Sequence, residues 1–207
     1  MRLLLPALLL ASVLPLPAAK LGQDTWREEK RGQTLDGLRH WSRLTEPSSG
    51  TIVDAGGRRA LRLTDGARMQ SVGVLPYGGG MTLRGLFDVT SSGGTAGFGF
   101  IDFSSGIYYY LYVDKTAGKI ILQRGDAESS QVLAEAPAAP ASPMALELNV
   151  DTTDKKTIRL AASLNGTALL QAGEEKPPKL GSTYQIYVGL GGDTVADLYE
   201  MTAILGK

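Results

Sequence analysis

Hydrolysis of a glycosidic bond needs two carboxyl groups held across it. The stretch that comes nearest to supplying them is Glu147-Leu148-Asn149-Val150-Asp151. In an extended chain Glu147, Asn149 and Asp151 share one face, while Leu146, Leu148 and Val150 share the other. The middle amide cannot act as a carboxylate, and residues 147 and 151 lie about 13 Å apart along a strand, too far for a Glu and a shorter Asp to converge. The stretch is expected to be the polar outer face of an ordinary strand, and no catalytic residue is assigned. His40 is the single histidine and cysteine is absent, which removes histidine-activated serine chemistry, thiolate nucleophiles, zinc sites and disulfides together. There is no Gly-x-Ser-x-Gly elbow, and His40, beside Trp41 in an early strand, is expected at an edge or surface. Gly78-Gly79-Gly80 and Gly191-Gly192 lack the lysine and helix of a phosphate loop and read as turns. No metal site or cofactor is assigned. Calcium alone stays open, because it needs only oxygen ligands; Asp102, Asp114, Asp151 and Asp193 could supply them, but none sits in a loop of calcium-binding spacing.

Tyr108, Tyr110 and Tyr112 offer a different chemistry. They alternate with Tyr109, Leu111 and Val113, so on a strand they form a row about 13 Å long on one face. Aromatic faces of this kind stack on the apolar side of a pyranose, while acids, amides and arginines bond its hydroxyls. Because Tyr109, Leu111 and Val113 form the more apolar set, the tyrosine row is expected to face outward. Arg84, Asp88, Asp102 and Arg124 are expected from neighbouring strands and complete the candidate ligand-binding set. Whether they share the tyrosine face depends on register, since one residue of slip reverses every side chain.

The elements that must position these residues are strands. From Gly93 to Gly125 three strand-favouring runs, Thr95 to Phe103, Ile107 to Val113 and Lys119 to Gln123, are separated by short glycine-containing connections, which predicts an antiparallel meander. Before it come Leu38 to Leu44, Thr51 to Asp54, Ala60 to Thr64, Met69 to Leu75 and Met81 to Val89. After it come Ser130 to Ala136, Met144 to Asp151, Thr157 to Ser163, Ala168 to Gln171, Tyr184 to Leu190 and Ala196 to Leu205. Turn signals every 8 to 12 residues or so, without helical periodicity, predict a sandwich or barrel. Ala136 to Pro143 reads as a loop between layers, because its prolines cannot sit in a central strand. Asn165-Gly166-Thr167 matches a glycosylation acceptor, but Asn-Gly between two strands reads first as a hairpin turn. Glu174 to Lys179 reads as a solvated charged loop.

The chain has 207 residues with 21 basic and 21 acidic side chains, so no long-range field draws it to nucleic acid or to an anionic membrane. Residues 1–19 carry one Arg, an apolar run broken by proline, then Ala18-Ala19. That is the pattern of a secretory signal peptide, too short for a membrane anchor. The expected organisation is residues 1–19 as the signal, 20–33 as a polar leader with at most a helical turn, and 34–207 as one domain. The mature protein is expected to be secreted or periplasmic, with no membrane attachment after cleavage.

The segments AGFGFIDFSSGIYYYLYVD, GKIILQRG, ALELNVD, IRLAASLNGTALL and YQIYVGLGGDTVADLYEMTAI follow one another in an order that resembles the concanavalin A-like lectin and glucanase superfamily, which includes laminin-G-like domains. The resemblance spans Thr34 to Leu205. It implies an all-β, two-sheet antiparallel jelly-roll sandwich whose glycan-facing sheet binds, and in some members cleaves, carbohydrate. Glucanases of this superfamily carry Glu-x-Asp-x-Glu on a strand, a pattern that Glu147-Leu148-Asn149-Val150-Asp151 fails to meet. The leading expectation is a secreted non-catalytic carbohydrate-binding module with a glycan or polysaccharide as partner. An adhesion module of the cell envelope and a divergent glycoside hydrolase are the alternatives.

Overall fold

A computed structural model describes residues 19–44, 49–64, 66–72, 75–76, 79–102, 104–139, 141–152, 157–175 and 183–205; of residues 1–19, expected from the sequence to be a signal peptide, 1–18 lie outside them. In chain order the strands are β1 (Ala19–Asp24), β2 (Trp41–Arg43), β3 (Ser49–Ala55), β4 (Arg58–Thr64), β5 (Arg68–Ser71), β6 (Leu75–Pro76), β7 (Gly80–Val89) and β8 (Thr95–Ile101). They continue with β9 (Tyr108–Asp114), β10 (Lys119–Gly125), β11 (Ser130–Pro137), β12 (Met144–Asp151), β13 (Thr157–Leu164), β14 (Thr167–Glu175), β15 (Thr183–Gly191) and β16 (Ala196–Leu205). A 3-10 turn at Leu35–Gly37 is the one helical element among the described residues.

The strands form two antiparallel sheets. One runs β14-β13-β12-β7-β16-β4-β3 with β1 added to β16; the other runs β11-β10-β9-β8-β15-β5-β2 with β6 added to β15. The expected meander is β8-β9-β10, extended by β11, and β12-β13-β14 form a second meander in the opposite sheet. The chain changes sheets between β11 and β12, through the proline-rich segment that reads as an interlayer loop. Asn165 and Gly166 both adopt positive φ, 51° and 79°, the two-residue turn geometry that joins β13 to β14.

Alternation puts one side of each sheet into a common core. Leu83 and Phe87 of β7, Phe98 and Phe100 of β8, Tyr109 and Leu111 of β9, and Leu148 of β12 are all buried there. Gly85 supplies room: a Cβ at this position would lie 2.5 Å from the Phe87 ring and 2.8 Å from the Phe98 ring. The two rings stack at 6.1 Å and 8° in the space so left. The sheets are also tied at their edge by Glu174, whose carboxylate accepts hydrogen bonds from the Tyr109 hydroxyl and, at 2.8 Å, from Arg124 Nη1.

Two segments differ from the sequence reading. The polar stretch 20–33 supplies most of β1, which pairs with β16, and it buries Trp26 against Trp41 with ring centroids 6.1 Å apart. A short strand among charged residues carries too little periodicity to be read alone. Glu174, expected in a solvated loop, belongs to β14 and its side chain is only 14% exposed. It is drawn in by a phenol and a guanidinium that reach it from the opposite sheet, partners 65 and 50 residues away.

Candidate functional site

The outer face of the second sheet can be built rung by rung from the strand register. Tyr108 stands opposite Ile101 of β8 and Gly125 of β10. Tyr110 stands opposite Gly99 and Gln123, and Gly99 in turn opposite Tyr187 of β15. Tyr112 stands opposite Gly97, which faces Gly189, which faces Arg68 of β5. Since Tyr109, Leu111 and Val113 are wholly buried in the core, pleating turns Tyr108, Tyr110 and Tyr112 outward, as the more apolar composition of the other set requires.

On this face lies a groove of about 620 Å³ bordered by all three tyrosines, together with Tyr187, Gln123 and Arg68. Its floor depends on missing side chains. At Gly97 a Cβ would run into the Leu111 carbonyl, and at Gly99 into the Tyr109 carbonyl. The β8 backbone approaches β9 closely there and presents no side chain outward. Gly125 lies directly under the Tyr108 ring, and a Cβ at Gly189 would come within 2.7 Å of the Tyr187 hydroxyl. The tyrosine rings therefore lie over the glycine positions.

The tyrosines are not equivalent. Tyr110 is 9% exposed, its hydroxyl donates to the Gly189 carbonyl at 2.7 Å, and its ring is flanked by Tyr112 and Tyr187, each with a centroid 5.2 Å away. Burial pushes its phenol well above the ordinary value, so it stays neutral. It serves as floor. Tyr108 and Tyr112 are half-buried and bear hydroxyls joined through Gln123: Tyr112 donates to Gln123 Oε1 at 3.3 Å, and Gln123 Nε2 donates to Tyr108 at 3.5 Å. Bonds this long are weak, so a ligand hydroxyl can exchange with them at small cost. Asp126 borders one end of the groove. The backbone N–H groups of Glu128 and Ser129, both donating to its Oδ1, hold its carboxyl below the usual range.

The structure does not bring the four charged candidates to this groove. Arg84 and Asp88 lie on β7, in the opposite sheet. Arg84 pairs with Glu147, and Asp88 accepts from the Ser142 hydroxyl. Asp102 is 1% exposed and accepts from Ser104 and Ser105 at 2.7 Å each, organising the turn before β9. Arg124 is opposite Tyr109, on the inward-facing side of β10, and bonds Glu174. Each of these departures is a matter of register or sheet assignment, which local sequence does not carry. Tyr187, Gln123, Arg68 and the glycine floor went unread for the same reason, although Tyr187 alternates with buried Ile186 and Val188 in a way that marks it as outward.

Glu147, Asn149 and Asp151 lie on the outer face of the first sheet, as their alternation predicts. Although burial raises the Glu147 pKa, hydrogen bonds from Asn149 and Arg84 outweigh that and hold it below the ordinary value. Asp88 and Asp197 stand directly opposite each other across β7 and β16. Asp197, 2% exposed, spends both oxygens on Arg62 at 2.8 Å each. A second groove of about 670 Å³ crosses this sheet beside Asn149, Asp151 and Arg159, and its lining contains no aromatic ring. Among the described residues no cluster of three His, Cys, Asp or Glu side chains could hold a metal ion. His40 precedes β2 with its side chain 65% exposed, 3.4 Å from Asp24.

Two facing antiparallel sheets in this strand order make a concanavalin A-like jelly-roll sandwich, and comparison with solved structures agrees. The carbohydrate-binding module CBM66 from Bacillus subtilis superposes with a TM-score of 0.57 at 16% identity, over 80% of this chain and 96% of that one. The potassium-bound carbohydrate recognition domain of Emp46p gives 0.60 at 15% identity, over 87% and 94%. The GH16 protein of the Bacteroides ovatus mixed linkage glucan PUL, in complex with its G4G4G3G product, gives 0.60 at 12% identity, over 89% and 100%. These likenesses define the fold. No family model matches the sequence, and no curated protein matches it.

Proposed function

We propose that the chain is a secreted carbohydrate-binding module that holds a glycan in the tyrosine groove without cleaving it. The observation that carries this reading is the groove itself: half-exposed Tyr108, Tyr112 and Tyr187 around a glycine floor, with an amide and phenolic hydroxyls within reach of a seated sugar. A pyranose offers an apolar C–H face to the rings and hydroxyls at its rim, which is what such a lining complements. The neighbours of like fold include proteins whose names describe carbohydrate binding, which supports the same reading. Secretion rests on the signal-like residues 1–19. Binding is proposed to need no metal.

The test is a glycan array on the mature protein, followed by titration calorimetry of the selected sugar with and without a chelator. Tyr112→Ala and Tyr187→Ala should each weaken binding about tenfold, or roughly 1.4 kcal/mol, with the chelator making no difference. A folded protein that retains no glycan, or one whose affinity is untouched by both substitutions, overturns the proposal. Release of shorter sugars from the bound glycan would overturn its non-catalytic part.

A further inference from the structure

We infer that the groove seats the interior of a linear glycan whose chain runs parallel to the strands, instead of capturing a chain end. The inference rests on the glycan-binding reading above and adds the mode of binding. One wall is made by Tyr108 and Tyr112 of β9 with Gln123 of β10; the other is made by Tyr187 of β15 and Arg68 of β5. Between them the outward positions of β8 and β15 are Gly97, Gly99 and Gly189, which raise no side chain, and the Tyr110 ring lies across them with its hydroxyl on the Gly189 carbonyl. Both walls and the floor therefore extend along the strand direction.

Toward the Tyr108 end the lining adds Ile101, Gly106, Asp126 and Ala127, and toward the other end Thr95 and Gly191; none of these carries an aromatic ring that would stand across a bound chain. Six residues separate the rung of Ile101 from that of Thr95 along β8, about 20 Å at strand rise, which exceeds what one sugar ring fills. Along the first wall the Tyr108 hydroxyl, the Gln123 amide and the Tyr112 hydroxyl follow one another. A chain with hydroxyls recurring along its length meets such a series several times, whereas a terminal sugar meets it once.

The experiment uses affinity electrophoresis and calorimetry with soluble mixed-linkage β-glucan, xylan, linear mannan and dextran, and with oligosaccharides of increasing length from each. Ala127→Trp and Thr95→Trp place a bulky ring at either end; Ala127→Leu and Thr95→Leu replace them if a tryptophan variant fails to melt cooperatively. Affinity should climb with chain length, and each plug alone should weaken polymer binding about tenfold. A mono- or disaccharide that binds as tightly as its polymer, or a polymer weakened by only one plug, would sink the through-running mode while leaving glycan binding standing. If the wild-type protein retains none of these polymers or oligosaccharides, the inference fails; if the array is also blank, glycan binding fails with it.

Discussion

Four tyrosines share one surface, yet burial and bonding divide them into support and contact. Tyr110 bonds the Gly189 carbonyl from a buried position, so Tyr110→Phe should lower stability by about 0.5–1.5 kcal/mol in denaturant titration, whereas Tyr112→Phe, with its long bond to Gln123, should leave stability nearly unchanged. Because burial raises the Tyr110 pKa in the fold, its contribution is complete below the ordinary phenol pKa. It is lost as pH rises above that value, since the unfolded chain ionises first. Melting temperature should therefore fall on the alkaline side less steeply in Tyr110→Phe than in the wild type. Asp126 behaves in the opposite sense. Two backbone N–H groups lower its pKa, so its support of the β10–β11 turn is present above the ordinary carboxylate pKa and is lost as pH falls through the folded value. Carboxyl NMR titration should show Asp126 protonating at lower pH than an unpartnered Asp.

At the scale of the element, β8 is the strand on which the groove depends. Its sequence Thr95-Ala96-Gly97-Phe98-Gly99-Phe100-Ile101 sends phenylalanines into the core and glycines outward. An alanine at 99 would drive its methyl into the Tyr109 carbonyl, and a backbone atom cannot rotate away as a flexible side chain can. Gly99→Ala should cost at least ~1–3 kcal/mol and weaken glycan retention, read by thermal melting and affinity electrophoresis on one preparation. Strand positions and faces were readable here, since alternation of Phe with Gly and of Tyr with Leu and Val follows directly from pleat geometry. The leader strand β1 was not readable: its partner β16 lies at the far end of the chain.

For the molecule as a whole, the stability of the sandwich depends on holding two sheets together at their edge as well as through their core. Glu174 does this from β14 by accepting from Tyr109 and Arg124 of the opposite sheet. Glu174→Ala would deprive the buried Tyr109 hydroxyl of this acceptor, and a loss of about 1–3 kcal/mol is expected in chemical denaturation. Since Tyr109 backs the strand that carries Tyr108 and Tyr110, the same variant should reduce glycan affinity without touching the groove. The proposed export is tested at this scale too: a precursor with Leu8, Leu9 and Leu10 changed to Asp should remain in the cell at full length, as shown by fractionation and mass spectrometry.

The amino-acid sequence by itself determined that this protein is built of strands, that they alternate about a greasy interior, and that the Tyr108, Tyr110 and Tyr112 row looks outward. Each follows from neighbours one or two residues away, where geometry is local. Only the tertiary structure decided what surrounds that row. Tyr187 and Arg68 arrive from strands distant in the chain, and Gly189 accepts from a phenol 79 residues away. Arg84 and Asp88 go to the other sheet, Asp102 into a turn and Arg124 to an ion pair. The physical reason is that sheet membership and register arise from pairings between remote segments, and a shift of one residue exchanges the two faces of a strand.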